Sequence, residues 1–245
     1  MSDRVSLTGM VLKAAPVGDY DKRLVLLTGE RGKVTAFARG ARRPKGSLVA
    51  ASNLFCFGRF EAYEGRDSFT VVKAEVQNYF RGFAADLDLN FYGCYCLEVA
   101  DYFCPEGDPD CISQLKLLYR TLQALLAGQM PASLIRRIYE LKMLVLNGTC
   151  PDLFACAGCG KQSGLTGLDT GRFLVYCDAC QKERSVKAVD PAVLYTLQYI
   201  ISSPLESLFG FRLKPEVERE VSAIIRRLFS AYVDRPLLSR QFLPD

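Results

Sequence analysis

The chain of 245 residues contains no histidine. That absence removes the side chain that most often moves protons near neutral pH, and with it every triad or metal site built on imidazole. No window approaches the roughly 18 consecutive apolar residues that a membrane span requires. The stretch Met1 to Ser6 carries Asp3 and Arg4 with no apolar run behind them, so neither a targeting peptide nor a membrane segment is expected, and the reading is a cytoplasmic protein. There is no phosphate-binding G-x4-G-K-[ST] loop and no G-x-S-x-G elbow. No carboxylate cluster for magnesium is evident either. Asp86 and Asp88 are spaced as a pair, but they stand where a helix begins and capping explains them. These gaps weigh against an enzyme acting on nucleic acid.

What is present can build cores, since 49% of the residues are apolar and the length allows one large domain or two to three small ones. Ten cysteines in a mid-sized chain without a signal peptide point to reduced thiols and metal rather than disulfides. The net charge of +4 is unevenly placed. Residues 1–80 hold 13 Lys/Arg against 8 Asp/Glu, so the basic surplus lies at the N-terminal end.

The first 80 residues read as short strands broken by turns. Val5, Leu7, Gly9 and Val11 alternate with their neighbours, and Lys22–Thr28 and Lys33–Arg39 flank the hairpin signal Gly29-Glu30-Arg31-Gly32. Leu54–Tyr63 and Phe69–Val76 flank a second one, Glu64-Gly65-Arg66-Asp67. Such a set makes a small barrel or sandwich. From residue 81 the apolar period becomes helical. Asp88–Phe103 is one helix; Leu115, Leu118, Leu122, Leu125 and Leu126 mark a second, and Leu134, Ile138, Leu141, Leu144 and Val145 a third, opened by Pro131 and stopped at Asn147-Gly148. Asp190-Pro191 and Pro215 open two more. No internal repeat or low-complexity linker interrupts the chain.

Between the helices, Cys156-Ala-Gly-Cys159 and Cys177-Asp-Ala-Cys180 are two C-x2-C knuckles separated by 17 residues. This spacing reads as one tetrahedral zinc site, with Gly158 and Gly160 in the tight turns and Phe173–Tyr176 as a strand of a small ribbon. Four sulfur ligands leave no open position for water, so the ion is expected to be structural. The plainer alternative, four unrelated core cysteines, requires two pairs to match by coincidence. A redox pair is a further alternative, disfavoured because neither knuckle is expected to follow a strand and open a helix. Cys56, Cys94, Cys96, Cys104, Cys111 and Cys150 lack such spacing and read as small buried side chains.

Arg31, Lys33, Arg39, Arg42, Arg43 and Lys45 are six cations in fifteen residues with no acid among them. Gly40, Pro44 and Gly46 make the second half a loop, a form suited to phosphate contacts. A solvated loop without a partner is the bland alternative. Phe37 within the run, and Tyr20 before it, are candidate base-stacking or core residues.

Taken in order, Gly9–Lys13, Gly18–Arg23, Thr28–Lys33, Arg39–Lys45, Gly148–Leu153 leading into the first knuckle, and Ser239–Leu243 resemble the RecO family of bacterial recombination mediators along the whole chain. The resemblance implies an α+β multidomain protein: an N-terminal OB-fold barrel for DNA over 1–80, an α-helical domain over 81–150 and 185–245, and an inserted zinc-binding segment over 151–184. It also implies a protein that does no covalent chemistry. Such a protein binds single- and double-stranded DNA, anneals complementary strands, and works with RecR and single-stranded-DNA-binding protein to load RecA. It assigns a DNA-contact role to Arg39, Arg42, Arg43 and Lys45, and places the acidic, apolar tail of single-stranded-DNA-binding protein on the helical domain, with Arg136, Arg137, Arg226 and Arg227 as candidate partners. Gly171-Arg172 departs from a Gly-Gly pair often found in the family. The competing reading is a scaffold whose basic loop meets an acidic protein.

Overall fold

A computed structural model describes residues 4–244. The N-terminal strands are β1 (Arg4–Val17), β2 (Asp21–Thr28), β3 (Gly32–Ala38), β4 (Phe57–Glu64) and β5 (Phe69–Asn78). They close a barrel in the order β1-β2-β3-β5-β4, the OB-like topology, with β4 returning to β1. β1 serves both neighbours: Gly9 pairs with Thr28 on β2 and Gly58 on β4. A Cβ there would sit 2.3 Å from the Leu27 carbonyl oxygen, so the crossing requires glycine. The register shift between Val11 and Lys13 bends this long strand around the barrel. A short parallel contact, Ala36–Ala38 of β3 against Phe69–Val71 of β5, completes closure.

Period-two alternation sorts the side chains. Leu7, Val11, Leu24, Leu26, Phe60 and Val71 are among the inward set, each contributing about 1.5–3 kcal/mol by leaving water. β4 begins at Phe57 rather than Leu54, because Phe55 takes a left-handed φ of 67° and ends regular pairing.

The helices are α1 (Leu87–Phe103), α2 (Ile112–Ala127), α3 (Ala132–Leu146), α4 (Asp178–Glu183), α5 (Pro191–Ser202) and α6 (Pro215–Ala231). The Asp86 carboxylate accepts from the Leu89 amide, as its capping position requires. Asp190 does the same for Ala192, with Pro191 opening α5. A two-stranded ribbon, β6 (Leu165–Asp169) and β7 (Leu174–Cys177), precedes α4.

The chain forms two compact units, residues 1–128 with 237–245, and residues 129–236. In the first, α1 is tied to the barrel through Asp101. Its carboxylate meets Lys13 at 2.6 Å and Lys33 at 3.2 Å. In the second, α3 carries a buried triad in which Glu140 takes Arg136 at 2.9 Å and Arg137 at 2.8 Å. Lys142 reaches across to α5 and donates to the carbonyls of Ile200, Ile201 and Ser203, covering the open C-terminal end of that helix.

Candidate metal centre and nucleic-acid interface

The four knuckle sulfurs, from Cys156, Cys159, Cys177 and Cys180, lie within 4.8 Å of one another. A tetrahedron with metal–sulfur bonds of about 2.3 Å has edges of about 3.8 Å. Cys159 Sγ and Cys177 Sγ stand 3.7 Å apart, so the donors fit a metal of that size. The first knuckle is built onto the ribbon: the Ala157 amide donates to Val175 O and the Cys156 amide to Lys161 O. Gly160 takes φ 76°, and a Cβ on Gly158 would approach Cys180 Sγ to 2.9 Å, so both turn positions require glycine. The Cys177 amide donates to Cys156 Sγ at 3.3 Å. That bond, with the amides of Gly158 and Cys159, draws the Cys156 thiol down to about 6, a thiolate ready for metal. Cys180 is pushed up to about 12, first by its contacts with Cys159 and Cys177, since adjacent sulfurs without a cation share protons. Arg184 lies 5.7 Å over the Tyr176 ring and covers this side of the ribbon.

One expectation is corrected. Cys177 ends β7 and α4 opens at Asp178, so the second knuckle does follow a strand and open a helix. Local context therefore does not disfavour a redox pair. Convergence of all four sulfurs does, because a dithiol needs only two. Of the remaining cysteines, Cys56, Cys96, Cys104 and Cys111 are buried, while Cys94 and Cys150 are half-buried. Burial pushes Cys56 up to about 12 and Cys150 to about 11, so these behave as small apolar groups.

The basic run divides in two. Arg39, Arg42, Arg43 and Lys45 are exposed around an ordered loop formed by successive turns, in which Arg43 N donates to Gly40 O and Gly46 N to Arg43 O. Gly40 takes φ 69°, and its amide is held by the Asp21 carboxylate at 2.7 Å. The Arg43 guanidinium lies 5.1 Å over the ring of Tyr20, which is 50% exposed. Arg42 Nη1 donates to Gly18 O at 3.1 Å. Burial and the nearby Arg42 charge lower Lys22, whose ammonium donates to Asn53 and Ser52. No ion pair among the described residues includes Arg39, Arg42, Arg43 or Lys45.

The other cations differ. Arg31 pairs with Glu64 at 3.2 Å. Lys33 is 12% exposed in its side chain and points its ammonium at Asp101, so it is an internal fastening and not an accessible phosphate contact. Phe37 is half-buried on the outer side of β3, between the inward Ala36 and Ala38. Arg136 and Arg137 are buried on Glu140 and cannot rim an open pocket, whereas Arg226 and Arg227 are exposed. Sequence reading passed over Arg23, exposed on β2 beside Phe37. The alternation of Leu24 and Leu26 was the signal that would have pointed it outward.

An OB-like barrel with a free cationic loop, in one chain with a helical unit that carries a four-sulfur centre, defines a class: metal-knuckle proteins with a nucleic-acid type of barrel. The chain belongs to the recombination protein O (RecO) family, whose N-terminal model matches residues 1–80 and whose C-terminal model matches residues 84–241. It is 31% identical over 243 residues to the DNA repair protein RecO of Symbiobacterium thermophilum, covering 97% of this chain and 96% of the relative. It is 32% identical over 240 residues to that of Desulforudis audaxviator, covering 96% and 94%. Among the described residues, no helix is long and apolar enough to cross a membrane.

Proposed function

We propose that the protein is a non-enzymatic recombination mediator in DNA repair. It binds single- and double-stranded DNA, anneals complementary strands, and helps load RecA together with RecR and single-stranded-DNA-binding protein. The observation that carries this reading is the set Arg39, Arg42, Arg43 and Lys45, exposed on one ordered loop of an OB-like barrel and absent from every ion pair among the described residues. Annealing requires screening of two polyanions while bases stay available, which such a loop supplies without bond-making. The relatives' name, DNA repair protein, agrees with it.

In this reading residues 1–80 are the DNA-binding domain, 81–150 with 185–245 the helical domain, and 151–184 the metal segment. The ion is zinc, because four thiolates at tetrahedral spacing select a soft, closed-shell cation. Arg227 is the strongest remaining candidate for the acidic tail of single-stranded-DNA-binding protein, since it lines a pocket of about 250 Å³ with Leu168, Val189 and Ile224.

The test is a titration of labelled single-stranded DNA at several salt concentrations. With about four phosphates contacted, log affinity falls with log salt at a slope of about −3. A slope near zero overturns the reading and favours an acidic protein as partner.

A further inference from the structure

The strand registers align one lateral row on the barrel. Arg23 of β2 is paired with Phe37 of β3, Phe37 with Thr70 of β5, and Thr70 with Tyr63 of β4. Residues in one register share a face, because side chains alternate with period two. The face is the outer one. Leu24, Ala36, Ala38, Phe69, Val71 and Ala62, which flank the row along the strands, all lie in the barrel core. Arg23 is exposed, Tyr63 is 42% exposed, and Phe37 and Thr70 are half-buried. Three inter-strand steps of about 4.8 Å make the row roughly 14 Å long.

Aromatic rings on the outside of a barrel commonly stabilise one another across strands. Here they do not, since Thr70 separates them and neither Phe37 nor Tyr63 contacts another aromatic ring among the described residues. Their faces are left for something else. The row contains no acid, and the acids beside it are already engaged: Glu61 by Arg4 and Lys73, Glu64 by Arg31, and Glu75 by Lys73. Arg23 meets only the Thr35 hydroxyl, at 3.5 Å. Arg39 follows β3 two residues after Phe37, so the row runs directly into the cationic loop.

We propose that Arg23, Phe37, Thr70 and Tyr63 form a base-stacking track for single-stranded DNA. A strand anchored by its phosphates on the Gly40–Gly46 loop crosses β3, β5 and β4 with bases laid against Phe37 and Tyr63. This rests on the DNA-binding reading and adds to it a preference. Loop cations serve single and double strands alike, whereas the rings act only on unpaired bases, whose faces a duplex hides.

The experiment uses the full chain, with an oligothymidine and a duplex of equal length, each labelled and read by fluorescence anisotropy. Phe37→Ala and Tyr63→Ala each weaken single-strand binding roughly 5- to 100-fold, leave duplex affinity and the salt slope unchanged, and Tyr63→Trp restores binding. Arg42→Gln with Arg43→Gln weakens both ligands and flattens the slope. Wild-type affinity of Tyr63→Ala for oligothymidine, or an equal loss on duplex, overturns the track. Should an alanine variant fail to fold, ultraviolet crosslinking of the unaltered chain to an oligonucleotide bearing 5-iodouracil decides. Adducts on Phe37 or Tyr63 support the track, and adducts confined to other residues overturn it. If the paired arginine variant also binds as wild type with an unchanged slope, the DNA-binding reading itself fails; silence of the aromatic variants alone sinks only the track.

Discussion

The Lys33 ammonium and the Asp101 carboxylate, 3.2 Å apart, join the third barrel strand to the first helix, and the same ammonium donates to the Asp101 backbone carbonyl at 2.6 Å. One member of the basic run is thereby withdrawn from solvent. The pair also sets the acid limit of the first unit. Burial pushes the Asp101 carboxyl up, but its hydrogen bond to Lys13 and the charges of Lys33 and Lys13 outweigh this and hold it below the usual carboxylate value.

Asp101→Asn leaves Lys33 charged and poorly paired, so the first unit loses about 3 kcal/mol at neutral pH. Because the folded carboxyl is lowered, its stabilisation is complete above the ordinary carboxylate range and disappears as pH falls through the lowered value. Urea titrations from neutral to acid pH therefore show the wild type and variant converging at the acid end. Lys33→Met, measured in parallel, lowers stability while leaving the salt slope of DNA binding intact.

Replacing Arg39, Arg42 and Arg43 together with glutamine removes three exposed cations, none of which closes an ion pair in the fold. The melting temperature stays where it was, and the single-strand salt slope shrinks by about 2, at about 0.7 for each phosphate no longer neutralised. The rate of pairing between complementary oligonucleotides drops with it. An unaltered pairing rate would place annealing elsewhere on the molecule.

Purified without chelator, the chain is expected to carry one zinc, read by elemental analysis. Strong chelation removes it and melts the β6–β7 ribbon, seen as lost amide protection confined to residues 150–185. Gly158→Ala lowers metal retention although it alters no ligand, since its methyl would meet Cys180 Sγ at 2.9 Å.

Glu140→Ala strands two guanidiniums in the interior of α3, where Glu140 is 0% exposed. The cost is about 3–5 kcal/mol, measured by denaturation, and falls on the second unit. A loss below about 1 kcal/mol would mean that solvent reaches Arg136 and Arg137 on removal of the carboxylate.

Much of this architecture was legible beforehand because it is local. Alternation along Leu24–Leu26 and Val34–Ala38 marks strands whose neighbours need not be known. Asp86, Asp190 and Pro191 mark helix starts through bonds within one turn. The metal centre was legible for the same reason: each knuckle is a turn that aims its own two sulfurs, and two such turns at short separation meet with few alternatives.

Long-range partnership was not written in any window. Lys33 and Arg39 look alike in a run of cations, and only the packing of α1 against the barrel turns one inward to Asp101 while leaving the other in water. Arg136, Arg137 and Glu140 have the spacing of an ordinary surface helix; burial on all sides makes them an internal triad. The row through Arg23, Phe37, Thr70 and Tyr63 exists because the barrel closes β3 against β5, beyond β4 in sequence. Backbone hydrogen bonding and apolar spacing act over a few residues, so the chain's order encodes them. Which charges are paired, and which rings face outward together, depends on contacts between segments distant in sequence, and folding supplies those.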